Sequence, residues 1–175
     1  MFVREIRPLI CQSNPETVFT GVGKEPPGDV QAFDNGTTVR VLGFVEDVRP
    51  LYRRSAVMVV PLLIGGGSRL KILEAFAAGT PVVSTTKGVE GLEVVDGRHL
   101  LIADAPEDFA AAVIRLREDP ELYERLRINA RALVEEKYDW KVLAARLERA
   151  AAEAGSLWGR AEQGGQTGGP RGPRS

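Results

Sequence analysis

Arg69, Lys71 and Glu74 are the residues of this chain whose types and spacing most readily do chemistry. They follow a Gly65-Gly66-Gly67 run, which itself follows the apolar stretch Val59-Val60-Pro61-Leu62-Leu63-Ile64. Ser68 is placed to cap a helix that Gly79 would stop. Strand, glycine turn and helix in that order put free backbone N–H groups at the carboxyl end of a strand, where parallel sheets bind ligands. Three glycines let the backbone approach a ligand closely, and the helix dipole favours an anion there. Two cations in the first turn oppose that dipole unless an anion lies between them, so Arg69 and Lys71 point to a phosphate.

Helical geometry places the remaining groups. At roughly 100° per residue, Leu70, Ile72, Leu73, Phe76 and Ala77 share the arc expected to pack on the sheet. Ser68, Lys71, Glu74, Ala75 and Ala78 share the opposite arc. A carboxylate at Glu74, flanked by alanines, can accept two hydrogen bonds from a vicinal diol such as ribose presents. Taken singly, a triple glycine is more often a plain turn, and a glutamate beside a lysine is usually a solvated pair. Only the whole unit favours a ligand. No Gly-Lys-Ser/Thr follows the glycines, so a Walker loop is excluded.

The elements that must position this unit alternate along the chain. Apolar, β-branched runs predict strands at Thr17–Val22, Thr38–Leu42, Ala56–Pro61, Pro81–Thr85 and His99–Ala103. Helical spacing predicts helices at Phe2–Cys11, Asp47–Ser55 and Ser68–Ala78. Three more follow: from Pro106, from Asp119-Pro120 with Asp119 as cap, and from Asp139-Trp140 to about Ala154. Alternation of this kind implies an α/β fold, a parallel sheet with helices on both faces. Residues 155–175 hold seven of the 19 glycines and two prolines, and are expected to form a flexible tail. The domain proper is then 1–154.

Composition excludes several classes. Of 175 residues, 43% are hydrophobic and 27% charged, as in soluble globular chains. Lys+Arg 23 against Asp+Glu 24 leaves −1, without the positive excess that nucleic-acid binding requires. One cysteine, Cys11, and one histidine, His99, make an internal disulfide impossible and a multi-ligand metal site unexpected. His99 follows the Asp96-Gly97-Arg98 turn and reads as a strand-edge residue. No apolar run reaches the roughly 20 residues of a membrane span, and no secretory signal opens the chain, so the cytoplasm is the default compartment.

The motifs Val41-Leu42-Gly43-Phe44-Val45-Glu46-Asp47-Val48, Pro61 to Gly79, and Pro81-Val82-Val83-Ser84-Thr85-Thr86-Lys87-Gly88-Val89-Glu90-Gly91-Leu92 stand in order along the chain. Together they resemble the C-terminal, donor-binding half of retaining GT-B glycosyltransferases of the group 1 family. The resemblance covers nearly all of residues 2–150. It implies a Rossmann-like domain that binds a nucleoside-diphosphate sugar, such as a UDP- or GDP-sugar, as donor substrate and uses no separate cofactor or metal. Gly65, Gly66, Gly67, Ser68, Arg69 and Lys71 would hold the diphosphate, Glu74 the ribose, and Gly43-Phe44-Val45 the base. Glu90 is a candidate for the donor sugar, with a loop-shaping role as the alternative. No catalytic residue is assigned.

Two departures from the family's pattern bear on function. The family often carries a second glutamate eight positions before the one matching Glu74, and here Gly66 stands there. The family's domain also opens with a central strand and glycine loop. The strand would lie between those at Thr17–Val22 and Ala56–Pro61, and the chain opens on a helix instead. The acceptor, a glycan or lipid-linked saccharide, would be held by an N-terminal domain that these residues do not include. No independent turnover is expected, and docking of that half would place the protein at the inner membrane surface. A non-catalytic nucleotide-binding remnant is the alternative. A GT-B sugar-nucleotide epimerase is a third reading, disfavoured by the scarcity of histidine.

Overall fold

The computed structural model describes residues 1–65 and 69–164. The expectations for Gly66, Gly67 and Ser68 lie outside the described residues, as do those for 165–175. Two compact units divide the chain, Met1–Glu135 and a second that begins at Glu136.

The first unit opens on a π turn, Phe2–Ile6, that runs into α1, Arg7–Ser13. Next come β1 (Phe19–Val22), α2 (Gly28–Gln31), β2 (Val39–Leu42) and α3 (Arg49–Arg54). They are followed by β3 (Met58–Val60), α4 (Leu70–Ala78), β4 (Val82–Ser84), a 3-10 turn (Lys87–Val89) and β5 (Leu101–Ile102). Two helices, α5 (Pro106–Glu118) and α6 (Pro120–Leu133), complete the unit. Every predicted strand is present, shortened to the residues that share a ladder. The Asp119 carboxylate accepts the Leu122 N–H at 2.9 Å and caps α6 as expected.

All strand pairs are parallel. They fall into two sheets, β1-β2 and β3-β4-β5, with Phe19 opposite Val39, Met58 opposite Val82 and Val83 opposite Leu101. The break between β1 and β3 falls where the family resemblance places its central strand. Val83, Leu101 and Ala103 face one side, in a core with Ile6 and Ile10 from the opening helix and Phe109, Leu116, Leu122 and Leu126 from α5 and α6. The Phe2 ring bridges to Phe19 of β1 and Phe109 of α5 at centroid distances of 4.7 and 6.2 Å. Strand alternation turns Val82 and Ser84 to the opposite side. This is an α/β, Rossmann-like arrangement of parallel strands and helices.

The packing arc of α4 departs from the sequence reading. Ile72, Ala75 and Phe76 are buried, whereas Leu70 is 56% exposed and Ala77 is exposed. The helix is thus rotated so that Ala75, expected on the ligand side, packs inward. Its small side chain allows the close approach, and α4 is held by neighbours on more than one side, which an arc drawn from hydropathy alone does not see. The helix starts at Leu70 with Arg69 in the capping position, and ends at Gly79 with a φ of 78°, the left-handed cap expected. Arg131 of α6 donates to the Ala77 carbonyl, satisfying one of the carbonyls left open at that end.

In the second unit, α7 extends over Trp140–Gly164, past the end expected near Ala154. No proline intervenes before Pro170, so nothing forces the helix to stop where the glycines begin.

Candidate functional site

The segment leaving β3, the α4 start and the loop after β4 converge at the carboxyl ends of β3, β4 and β5. Pro61 and Leu62 carry the chain out of β3, and the Leu62 carbonyl accepts the Thr85 hydroxyl at 2.5 Å. Gly65 is exposed, with a φ of 132° that other residues rarely adopt. A cavity of about 610 Å³ lies here, between Leu62, Leu63, Thr86, Lys87, Glu90 and Asp104. Both Asp104 oxygens are engaged by Thr86, through its N–H at 2.8 Å and its hydroxyl at 2.7 Å. The Thr86 bonds hold the Asp104 carboxyl below its ordinary pKa range.

Arg69 is committed to the neighbouring loop. Its side chain is 9% exposed, donates to the Lys87 carbonyl at 2.9 Å, and approaches Glu90 at 3.8 Å. Its Nε lies buried without a hydrogen-bond partner among the described residues. Lys87 pairs with the same Glu90 oxygen at 2.6 Å. The Lys87 hydrogen bond, then the charges of Lys87 and Arg69, hold the Glu90 carboxyl below its usual range. Sequence reading placed Arg69 and Glu90 at one crevice, and the structure brings them together. It did not single out Lys87, whose link depends on the 3-10 turn that brings Glu90 back to it.

Gly88 makes that turn possible. A Cβ there would lie 2.1 Å from Ser84 Oγ and 3.0 Å from the Val60 carbonyl oxygen. The turn therefore packs directly against the ends of β3 and β4.

Lys71 and Glu74 are exposed along α4. Glu74 Oε2 accepts a hydrogen bond from the Tyr52 hydroxyl at 3.0 Å, and the same hydroxyl stands 3.4 Å from the Lys71 carbonyl. Tyr52 belongs to α3, the element that follows the loop of Gly43, Phe44 and Val45. Phe44 is 75% exposed on that loop, and Gly43 borders a second cavity, of about 300 Å³, with Pro26, Gln31, Asp34 and Val41. Asp47 accepts from the Arg49 N–H and side chain at 2.9 Å, joining the loop to α3, and its carboxyl is held low by that arginine.

His99 is buried, and its Nδ1 accepts the Val95 N–H at 3.0 Å, an arrangement that shapes the turn before β5. Among the described residues no three His, Cys, Asp or Glu side chains gather as a metal-binding group. No helix among them is long and apolar enough to cross a membrane.

Comparison with known proteins agrees with this architecture. A family profile, Glycosyl transferases group 1, matches residues 1–119. A phosphatidyl-myo-inositol mannosyltransferase of Mycolicibacterium smegmatis is 32% identical over 138 residues, covering 77% of this chain and 36% of the relative. The chain thus spans a little over a third of that relative's length. Among solved structures, the C-terminal domain of the group 1 glycosyl transferase LpcC from Francisella tularensis superposes with a TM-score of 0.66. The two are 21% identical, over 78% of this chain and 77% of that domain. HepE of Anabaena, solved in complex with UDP, superposes with a TM-score of 0.70 at 18% identity, over 86% of this chain and 44% of HepE. These structural likenesses speak to the fold, the C-terminal domain of GT-B enzymes. On the extent of the family match, the chain belongs to the group 1 glycosyl transferases.

Proposed function

We propose that residues 1–154 form the donor half of a glycosyltransferase and bind a nucleoside-diphosphate sugar at the carboxyl ends of β3 and β4. The observation that carries this reading is the exposed Gly65 beyond β3 together with the amino terminus of α4, with Glu74 open to solvent one turn further along. The loop from Gly65 to Lys71 holds the diphosphate. Lys71 is free to reach it as a point charge, while Arg69 braces the Lys87–Glu90 loop through Nη2. Glu74 receives the ribose hydroxyls, the Gly43–Val45 loop lies by the base, and Glu90 borders the space for the donor sugar. The UDP bound to HepE supports a nucleotide of this kind.

In transfer, the bond from the sugar's anomeric carbon to the diphosphate oxygen breaks, an acceptor hydroxyl oxygen bonds to that carbon and gives up its proton, and negative charge grows on the departing nucleoside diphosphate. Helix amides and cations aimed at that charge lower the barrier, an effect that can reach several orders of magnitude. Retention of anomeric configuration is carried over from the group 1 resemblance, and metal-independent departure is assigned because protein amides and cations supply the positive charge. The acceptor, a glycan or lipid-linked saccharide, is assigned to a further half of the enzyme, since the mannosyltransferase relative is far longer than this chain. Residues 1–175 alone should bind donor without turning it over.

Calorimetric titration of UDP and GDP into wild-type protein and Glu74→Ala tests the site. Loss of about tenfold or more in affinity is expected for the variant, the scale of hydrogen bonds to a charged group. Equal binding by the two proteins would remove Glu74 from the site.

A further inference from the structure

We infer that Tyr52 is a positioning residue whose hydroxyl fixes the Glu74 carboxylate in the orientation that receives a ribose diol. The inference rests on the reading of Glu74 as the ribose ligand. It begins with a contact across 22 residues of sequence: the Tyr52 hydroxyl donates to Glu74 Oε2 at 3.0 Å. The tyrosine is tied down at its main chain as well. Its carbonyl accepts the hydroxyl of Thr80 at 2.8 Å, and Thr80 is 3% exposed just beyond the end of α4. The ring therefore reaches from one end of α4 to its middle, and the hydroxyl has little freedom to wander.

An unassisted glutamate on an open helix surface samples many rotamers, and a ligand that needs one of them must order it on binding. The phenol does that ordering in advance. A carboxylate offers about four lone-pair positions, and Tyr52 uses one of those on Oε2. Oε1 remains open, with part of Oε2, so two vicinal hydroxyls can still donate to the same group. Partial burial and the neighbouring Glu74 charge raise the Tyr52 pKa above its ordinary value, so the hydroxyl keeps its proton and stays a donor. Because α3 directly follows the Gly43–Val45 loop, one short segment would then address both base and ribose.

The test compares UDP and GDP with their 2′,3′-dideoxy counterparts, titrated into the full chain. Wild-type protein should prefer the ribonucleotide. Tyr52→Phe, which keeps the ring, should reduce that preference about three- to tenfold, leave dideoxynucleotide affinity unchanged, and shift the thermal midpoint little. In a Glu74→Ala background the same change should have no further effect. Equal weakening of ribo- and dideoxynucleotide, or an unaltered preference, would overturn the positioning role while leaving Glu74 in place. A wild-type protein that binds neither ribonucleotide, or binds both forms alike, would remove the ribose reading and the Tyr52 role with it.

Discussion

Arg69 and Lys87 approach a single carboxylate oxygen of Glu90, at 3.8 and 2.6 Å. Glu90 titrates below its ordinary range in the folded state, so this pairing stabilises the fold above the ordinary carboxylate pKa and is lost as pH falls through the depressed value. Unfolding midpoints of wild type and Glu90→Gln should accordingly differ at pH 7 and converge in acid. Curves that stay parallel would show that the pairing contributes nothing. Glu90 is well exposed, so added salt should shrink the difference. At this scale the sequence was only partly legible. The positions of Lys71 and Glu74 on one side of a helix follow from spacing. The destination of Arg69 does not, because its partners lie 18 and 21 residues away and are delivered by β4. Tyr52 escaped notice for the same reason: nothing in Arg49–Arg54 marks a tyrosine that will meet a glutamate in a later helix.

Among the elements, the 3-10 turn Lys87–Val89 has the tightest steric requirement. Gly88→Ala would drive a methyl group into Ser84 Oγ and the Val60 carbonyl, both part of the strands beneath. The turn must shift or the strand ends must part, at a cost of about 1–3 kcal/mol. Urea titration should detect that loss, and the variant should also weaken nucleotide binding because Lys87 and Glu90 move with the turn. An unchanged midpoint would mean the loop relaxes freely. The glycine at this position was visible in the sequence, whereas its reason was not, since it depends on the distance between β3 and β4. Strand placement was far more legible. Each apolar β-branched run became a strand, trimmed by one or two residues at its start and by at most one at its end, where the ladder stops. The α4 arc was misread because hydropathy ranks Leu70 above Ala75, while close packing between neighbouring elements selects the smaller side chain.

Across the whole molecule, the core joins distant parts of the chain: Ile6 and Ile10 from the opening helix pack with Phe109, Leu116 and Leu126. Periodicity showed that the opening segment was a helix with an apolar side, and the fold shows what that side covers. The helical reach of α7 to Gly164 was concealed by glycine content, which weighs against a helix without forbidding one. The interruption between β1-β2 and β3-β4-β5 has a kinetic signature. Met58 donates to Pro81 and Phe19 donates to Thr38, so the intervening amides of Val59 and Thr20 point away from their ladders. In deuterium oxide, Val59 and Thr20 should gain mass quickly while Met58 and Val60 remain slow, an every-other-residue comb along strands that sequence alone would mark as interior. Uniformly slow uptake along β3 would mean that something else occupies that side of the strand in solution.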